Sequence, residues 1–141
     1  MIEAAVVDAS VAVKWVVKET GSDMARLLSQ ASLSAPDLLA VECANILWKK
    51  VRIGDLTRQA ARGCLDILLH APVTFTAGRD LLAPALDLSM ELQHPIYDCV
   101  YLALAIQCGI PLVTADERLA NAVRKRPKFA AHLVLLGELP G

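Results

Sequence analysis

Aromatic residues are scarce in this sequence: two Trp, two Tyr and two Phe make up 4% of 141 residues. Net charge is nearly absent too, at -1 from 14 basic and 15 acidic side chains. The chain is therefore no polycation with a global pull toward nucleic acid, although a local basic patch is compatible with this balance. No CxxC occurs among the four cysteines, and three scattered histidines do not complete a thiolate zinc site. Cys64 sits in a helical pattern, while Cys43, Cys99 and Cys108 lie in or beside apolar runs. They read as buried free thiols of a reducing cytoplasm. The opening MIEAAVVDASV has no basic region and carries Glu3 and Asp8, which argues against a secretory signal. The longest apolar stretch, Val100 to Val113, is broken by Gln107, Gly109 and Pro111, so no membrane span is expected. Repeats, linkers and low-complexity tracts are missing, and the expectation is one cytoplasmic domain over residues 1–141.

Apolar residues are in surplus. They make up 55% of the chain, and the mean hydropathy is +0.46. That implies a sheet covered on both faces, apolar surface buried by a partner chain, or both; both are expected here. The organising stretch is HPIYDCVYLALAIQCGIPLVTADERLA, residues 94–120. His94-Pro95 precedes a helix from about Ile96 to Gln107, which Gly109 closes in a left-handed cap. Ile110 to Thr114 reads as a short buried strand. Asp98 falls in the helix's first turn, and Asp116 lies just past the strand, before a helix over Glu117–Val123.

Elsewhere, Ala4–Val7 suits a central parallel strand ending on Asp8, and Ser10–Val17 is ambiguous around Trp15. Ser22 is a candidate N-cap for a helix through Ala31, and Leu33–Ala35 a very short strand stopped by Pro36. Asp37 is positioned to cap a strong helix, Leu38–Ile53, ended by Gly54. Glu42, Asn45, Lys49 and Arg52 draw one polar stripe down that helix. Thr57 opens a helix to about His70, Val73–Thr76 alternates like a strand, and Ala85–Gln93 is helical. His132–Leu136 makes a last strand, with a basic surface turn, Arg124–Arg126 and Pro127, before it. Strands alternating with helices predict a three-layer α/β/α sandwich on a parallel sheet of four or five strands. Strand order is left open.

Four carboxylates carry the chemistry. Singly, Asp8 reads as a turn former, Asp98 and Asp116 as helix caps, and Glu42 as a solvated helix residue. Jointly, they would repel one another unless a cation lay between them, since no matching buried lysines or arginines accompany them. All-oxygen ligands suit Mg²⁺ or Mn²⁺, and such a site hydrolyses phosphodiesters. Phosphoaspartate chemistry fits less well: Asp8-Ala9-Ser10 stands where an aspartate phosphatase has DxD, and a receiver's lysine has no counterpart. A nucleotide-binding dehydrogenase fits less well still, since neither GxGxxG nor a P-loop occurs.

VVDASVAVKW, APDLLAVECANILWKK, YDCVYLALA and LVTADERLA together closely resemble the PIN-domain ribonucleases, in particular the VapC-type toxins of toxin–antitoxin pairs. The resemblance covers essentially the whole chain in the family's motif order. It implies that Asp8, Glu42, Asp98 and Asp116 form the metal-binding acidic quartet, with Ser10, Asn45 and Thr114 as accessory polar residues. It also implies a parallel sheet sandwiched by helices, a homodimer, RNA cleavage with Mg²⁺ or Mn²⁺, and a small antitoxin that occludes the site. Cys99 stands where the family often has a smaller residue. Lys49 and Arg118 are the better candidates for holding RNA phosphates, ahead of Lys14, Lys18 and Arg52. Tyr97, Tyr101, Trp15 and Trp48 read as packing, and no histidine receives a role. A catalytically silent PIN-like scaffold that binds RNA or protein is the non-enzymatic alternative.

Overall fold

The computed structural model describes residues 2–140. The chain runs β1 (Ala4–Val7), α1 (Ala9–Ala12), α2 (Ser22–Leu28), β2 (Ser32–Pro36), α3 (Leu38–Arg52), α4 (Arg58–Leu69) and β3 (Val73–Thr76). It continues through α5 (Leu82–Leu92), α6 (Ile96–Cys108), β4 (Leu112–Thr114), α7 (Glu117–Arg124), α8 (Pro127–Ala130) and β5 (Leu133–Leu135). All strand pairings are parallel, in the order β3-β2-β1-β4-β5. Pairing continues outward on one side from β1 to β2 and β3, and the crossover to β4 returns to the other side of β1. The order therefore reverses between β1 and β4, and crevices in such sheets open at the carboxyl ends of the strands at that point.

Strand alternation divides the core. Val6 and Leu112, paired in register, point into the larger cluster with Leu133 and the helices α3, α5 and α6. Ala5, Val7, Leu33 and Val113 point to the opposite face, against Ala25 and Leu28 of α2. A period of two thus buries both faces of β1, which explains its uninterrupted apolar run. In α6, every residue from Cys99 to Ala105 is at most 4% exposed. A helix apolar all round must lie between other elements, and α6 packs on α5, β1, β2 and β4. Gly109 ends it at φ 67, the left-handed cap that its sequence predicts.

Several local expectations are corrected. Gly21, at φ 90, precedes α2, and Ser22 lies inside the helix. The Ser22 hydroxyl accepts from the Glu19 N–H and donates to Val17 O, tightening the preceding turn. Asp37 is the residue before α3 but makes no capping bond, because its Oδ1 accepts the Gly78 N–H at 3.0 Å instead. Cys108 is exposed and Cys64 half-buried, whereas Cys43 and Cys99 are buried; all four are free. Ser10–Val17 resolves into α1 and a 3₁₀ turn over Val13–Trp15. The segment after Leu135 forms another 3₁₀ turn, Leu136–Glu138. Among the described residues, no helix is long and apolar enough to cross a membrane.

Candidate active site

Asp8 is the first residue past β1 and caps α1, its Oδ1 accepting the Val11 N–H at 3.3 Å. It is 5% exposed. Ser10 Oγ donates to Oδ1 and Thr114 Oγ1 to Oδ2, each at 2.5 Å. These hydroxyls in turn accept backbone N–H groups, Ala115 on Ser10 at 2.9 Å and Asp116 on Thr114 at 3.0 Å. The end of β1 is thereby tied to the end of β4. Burial pushes the Asp8 carboxyl up to about 6; the Ser10 and Thr114 hydrogen bonds oppose this, and the nearby Asp98 charge adds to it.

Asp116 caps α7, with Oδ1 accepting the N–H groups of Arg118 at 2.9 Å and Leu119 at 3.3 Å. Asp98 lies in the first turn of α6, where Oδ2 meets His94 Nε2 at 2.6 Å. Glu42 lies on α3, and its Oε1 accepts the Tyr101 hydroxyl of α6 at 2.6 Å. Burial raises the Glu42 carboxyl above its usual range; the Tyr101 bond opposes this, and the Asp98 charge reinforces it. Tyr101 itself is fully buried, and burial together with Glu42 pushes its phenol far up, so it remains a donor.

The four acids share a pattern. Each has an oxygen engaged by the protein, while Glu42 Oε2, Asp98 Oδ1 and Asp116 Oδ2 accept no hydrogen bond among the described residues. Asp8 uses three of its roughly four acceptor positions. All four line one cleft of about 540 Å³, together with Ser10, Asn45, Lys49 and Tyr97. None of the four forms an ion pair with a lysine or arginine among the described residues. Among the described residues, no three His, Cys, Asp or Glu side chains are grouped so as to hold a metal ion by themselves. Oriented free carboxylate oxygens, excess negative charge and an open wall fit a hard divalent cation that keeps much of its water.

The accessory residues separate. Ser10 and Thr114 hold Asp8, while Asn45 lines the cleft and is exposed. Lys49 lines it as well, but Arg118 is exposed and outside the lining. Lys14 is committed to Glu19 at 3.1 Å and Thr20 O at 2.8 Å, Lys18 is exposed away from the cleft, and Arg52 borders a neighbouring groove. His94 and Tyr101 were given no site role by the sequence, yet each orients one of the acids.

Residues 5–125 match the PIN domain family. Ribonuclease VapC3 of Pyrobaculum aerophilum is 36% identical over 120 residues, 82% of this chain and 92% of that protein. Ribonuclease VapC1 of Mycobacterium tuberculosis is 33% identical over 99 residues, covering 68% and 71%. Among solved structures, a Pyrobaculum aerophilum protein superposes with a TM-score of 0.72 at 22% identity, over 96% of this chain and 90% of that one. VapC20 of Mycobacterium tuberculosis, a sarcin-ricin-loop-cleaving toxin, superposes at 0.63 with 17% identity, over 84% and 94%. At these identities the two structures speak to the fold.

Proposed function

The chain belongs to the PIN-domain family, among its VapC-type ribonucleases, and from that membership we propose that it is a metal-dependent endoribonuclease, the toxin of a type II toxin–antitoxin pair. The observation that carries the chemistry is the cleft in which each of four carboxylates is anchored by the protein, Asp8 through both oxygens and the other three through one, and keeps further acceptor capacity free. Asp8, Asp98 and Asp116 would hold Mg²⁺ or Mn²⁺ directly, and Glu42 would ligate or orient a bound water. When bound, the ion polarises a phosphodiester and lowers the pKa of water.

The chain's own residues do the positioning. Ser10 and Thr114 fix both oxygens of Asp8, His94 fixes Asp98, and Tyr101 fixes Glu42. Lys49 on the cleft wall is placed to receive a phosphate oxygen of the RNA. An antitoxin that covered this cleft would silence it. A homodimer is the further proposal, supported by Leu82, Leu86 and Met90, which stand 49–63% exposed along one side of α5.

The test is cleavage of structured and unstructured RNAs by the purified, partner-free protein with Mg²⁺, with Mn²⁺ and with chelator, beside Asp98→Asn. Cutting that needs the metal and disappears in the variant is expected. No cutting, combined with no metal binding by calorimetry, would leave the silent scaffold.

Tyr101→Phe checks the positioning role. The ring still fills its buried position, and Glu42 loses only the hydroxyl. Single-turnover cleavage is expected to fall about tenfold, or about 1.4 kcal/mol, near the lower end of the roughly 1.5–3 kcal/mol of a hydrogen bond to a charged group. Unfolding free energy should move by about 1 kcal/mol. An unchanged cleavage rate would make the contact merely structural.

A further inference from the structure

We infer that the groove between α3 and α4, beside the acidic cleft, is a subsite for single-stranded RNA in which Trp48 stacks a base and Arg52, Arg58 and Arg62 hold the adjoining phosphates. This rests on the nuclease reading above. Trp48 and Arg52 of α3 face Arg58 and Arg62 of α4 across the groove. Trp48 is 54% exposed, in a chain with only two tryptophans. The other, Trp15, is half-buried and donates its indole N–H to Ala25 O at 2.8 Å. The Arg52 guanidinium lies 4.9 Å from the centre of the Trp48 ring. An exposed indole with a guanidinium beside it offers stacking and cation–π contact to a base whatever its identity.

Charge points the same way. No acidic residue lines the groove, and none of its three arginines pairs with a carboxylate among the described residues. Elsewhere Lys14 and Lys50 are paired with Glu19, Arg26 with Asp23, Arg124 with Glu138, and Lys128 with Glu91, while the other unpaired cations outside the groove are scattered along the sequence. In a chain of net charge -1, three arginines and no carboxylate line this one groove. The groove also continues the cleft. Asn45 and Lys49 line the cleft, and Trp48 and Arg52, on the same helix, line the groove. From Glu42 to Arg52 an α-helix rises about 15 Å, the reach of a few nucleotides. An acidic peptide would satisfy the guanidiniums but leave the indole face without a stacking partner. RNA uses both.

The test uses Asp8→Asn protein, so that RNA stays intact, and a short single-stranded RNA of mixed sequence titrated over a range of salt. Tryptophan fluorescence should be quenched on binding. Arg58→Gln with Arg62→Gln should reduce the slope of log affinity against log salt by about 1.4, at roughly 0.7 for each phosphate no longer neutralised. Trp48→Ala should weaken binding by on the order of tenfold or more. Circular dichroism of each variant establishes that it is folded. Folded variants with the parent's affinity and slope would overturn the subsite while leaving the nuclease intact. Variants that change the sedimentation coefficient but not the salt slope would make the groove a protein interface, which also overturns it. If the parent binds no RNA and the wild type cuts none, the nuclease reading falls, and the subsite with it.

Discussion

Asp8→Asn is expected to lower metal-dependent RNA cleavage by a thousandfold or more and, in the same molecule, to raise the melting temperature of the metal-free protein. The first effect follows from replacing an anionic ligand at the centre of the site by a neutral one, a loss of about 4 kcal/mol or more of charge stabilisation. The second follows from burial. The Asp8 carboxyl is pushed from 3.8 to about 6, so the folded state binds its proton more tightly than the unfolded chain does. Stability from this group is complete below about pH 4 and is lost as pH rises through about 6. Ionised Asp8 thus costs about 3 kcal/mol at neutral pH, two units at 1.36 kcal/mol each. Asparagine avoids that cost. Its amide can donate to Thr114 Oγ1, which then turns its own proton toward Ser10 Oγ, 3.3 Å away. Melting scans in chelator should show the variant roughly 5–10 °C above wild type near pH 8, with the gap closing near pH 4. Added Mn²⁺ should then stabilise wild type and not the variant. A variant less stable at every pH would mean that Asp8 is a structural cap whose charge the fold needs.

The four acids that line the cleft stand out in the sequence because each stands at a chemical boundary. Asp8 and Asp116 interrupt apolar runs at strand ends, Asp98 opens an apolar helix, and Glu42 sits among Val41, Cys43 and Ala44. Their supports were less visible. Tyr101 reaches Glu42 across 59 positions of sequence, and within α6 it looks like one more core residue. His94 is four residues before Asp98, a helical spacing. Pro95 is the N-cap at ψ 145, however, so His94 lies outside α6 and helical periodicity does not apply to it. Caps failed where a hydroxyl or carboxylate had a better partner, as Asp37 does in the Gly78 N–H. Cys108 borders an apolar run yet ends its helix in solvent, because burial follows the helix's contacts and not its neighbours in sequence. The sandwich followed from alternating element types, but the strand order needed long-range pairing that no local pattern carries.

Asp116 allows the structural and chemical roles of one carboxylate to be separated by two substitutions. Oδ1 accepts the Arg118 and Leu119 N–H groups at the start of α7, and Oδ2 is free toward the cleft. Asp116→Asn keeps a carbonyl oxygen for the cap and removes the charge. Asp116→Ala removes both. Cleavage should fall by on the order of a hundredfold or more in each, because each loses an anionic ligand. Stability should divide them. The Asn variant is expected within about 0.5 kcal/mol of wild type, since asparagine caps helices about as well as aspartate. The Ala variant should lose about 1 kcal/mol, measured by urea unfolding in chelator. Cutting at the wild-type rate by the Asn variant would reduce Asp116 to a helix cap. Equal stability of the two variants would mean that the cap contributes nothing and that this carboxylate is held only for its chemistry.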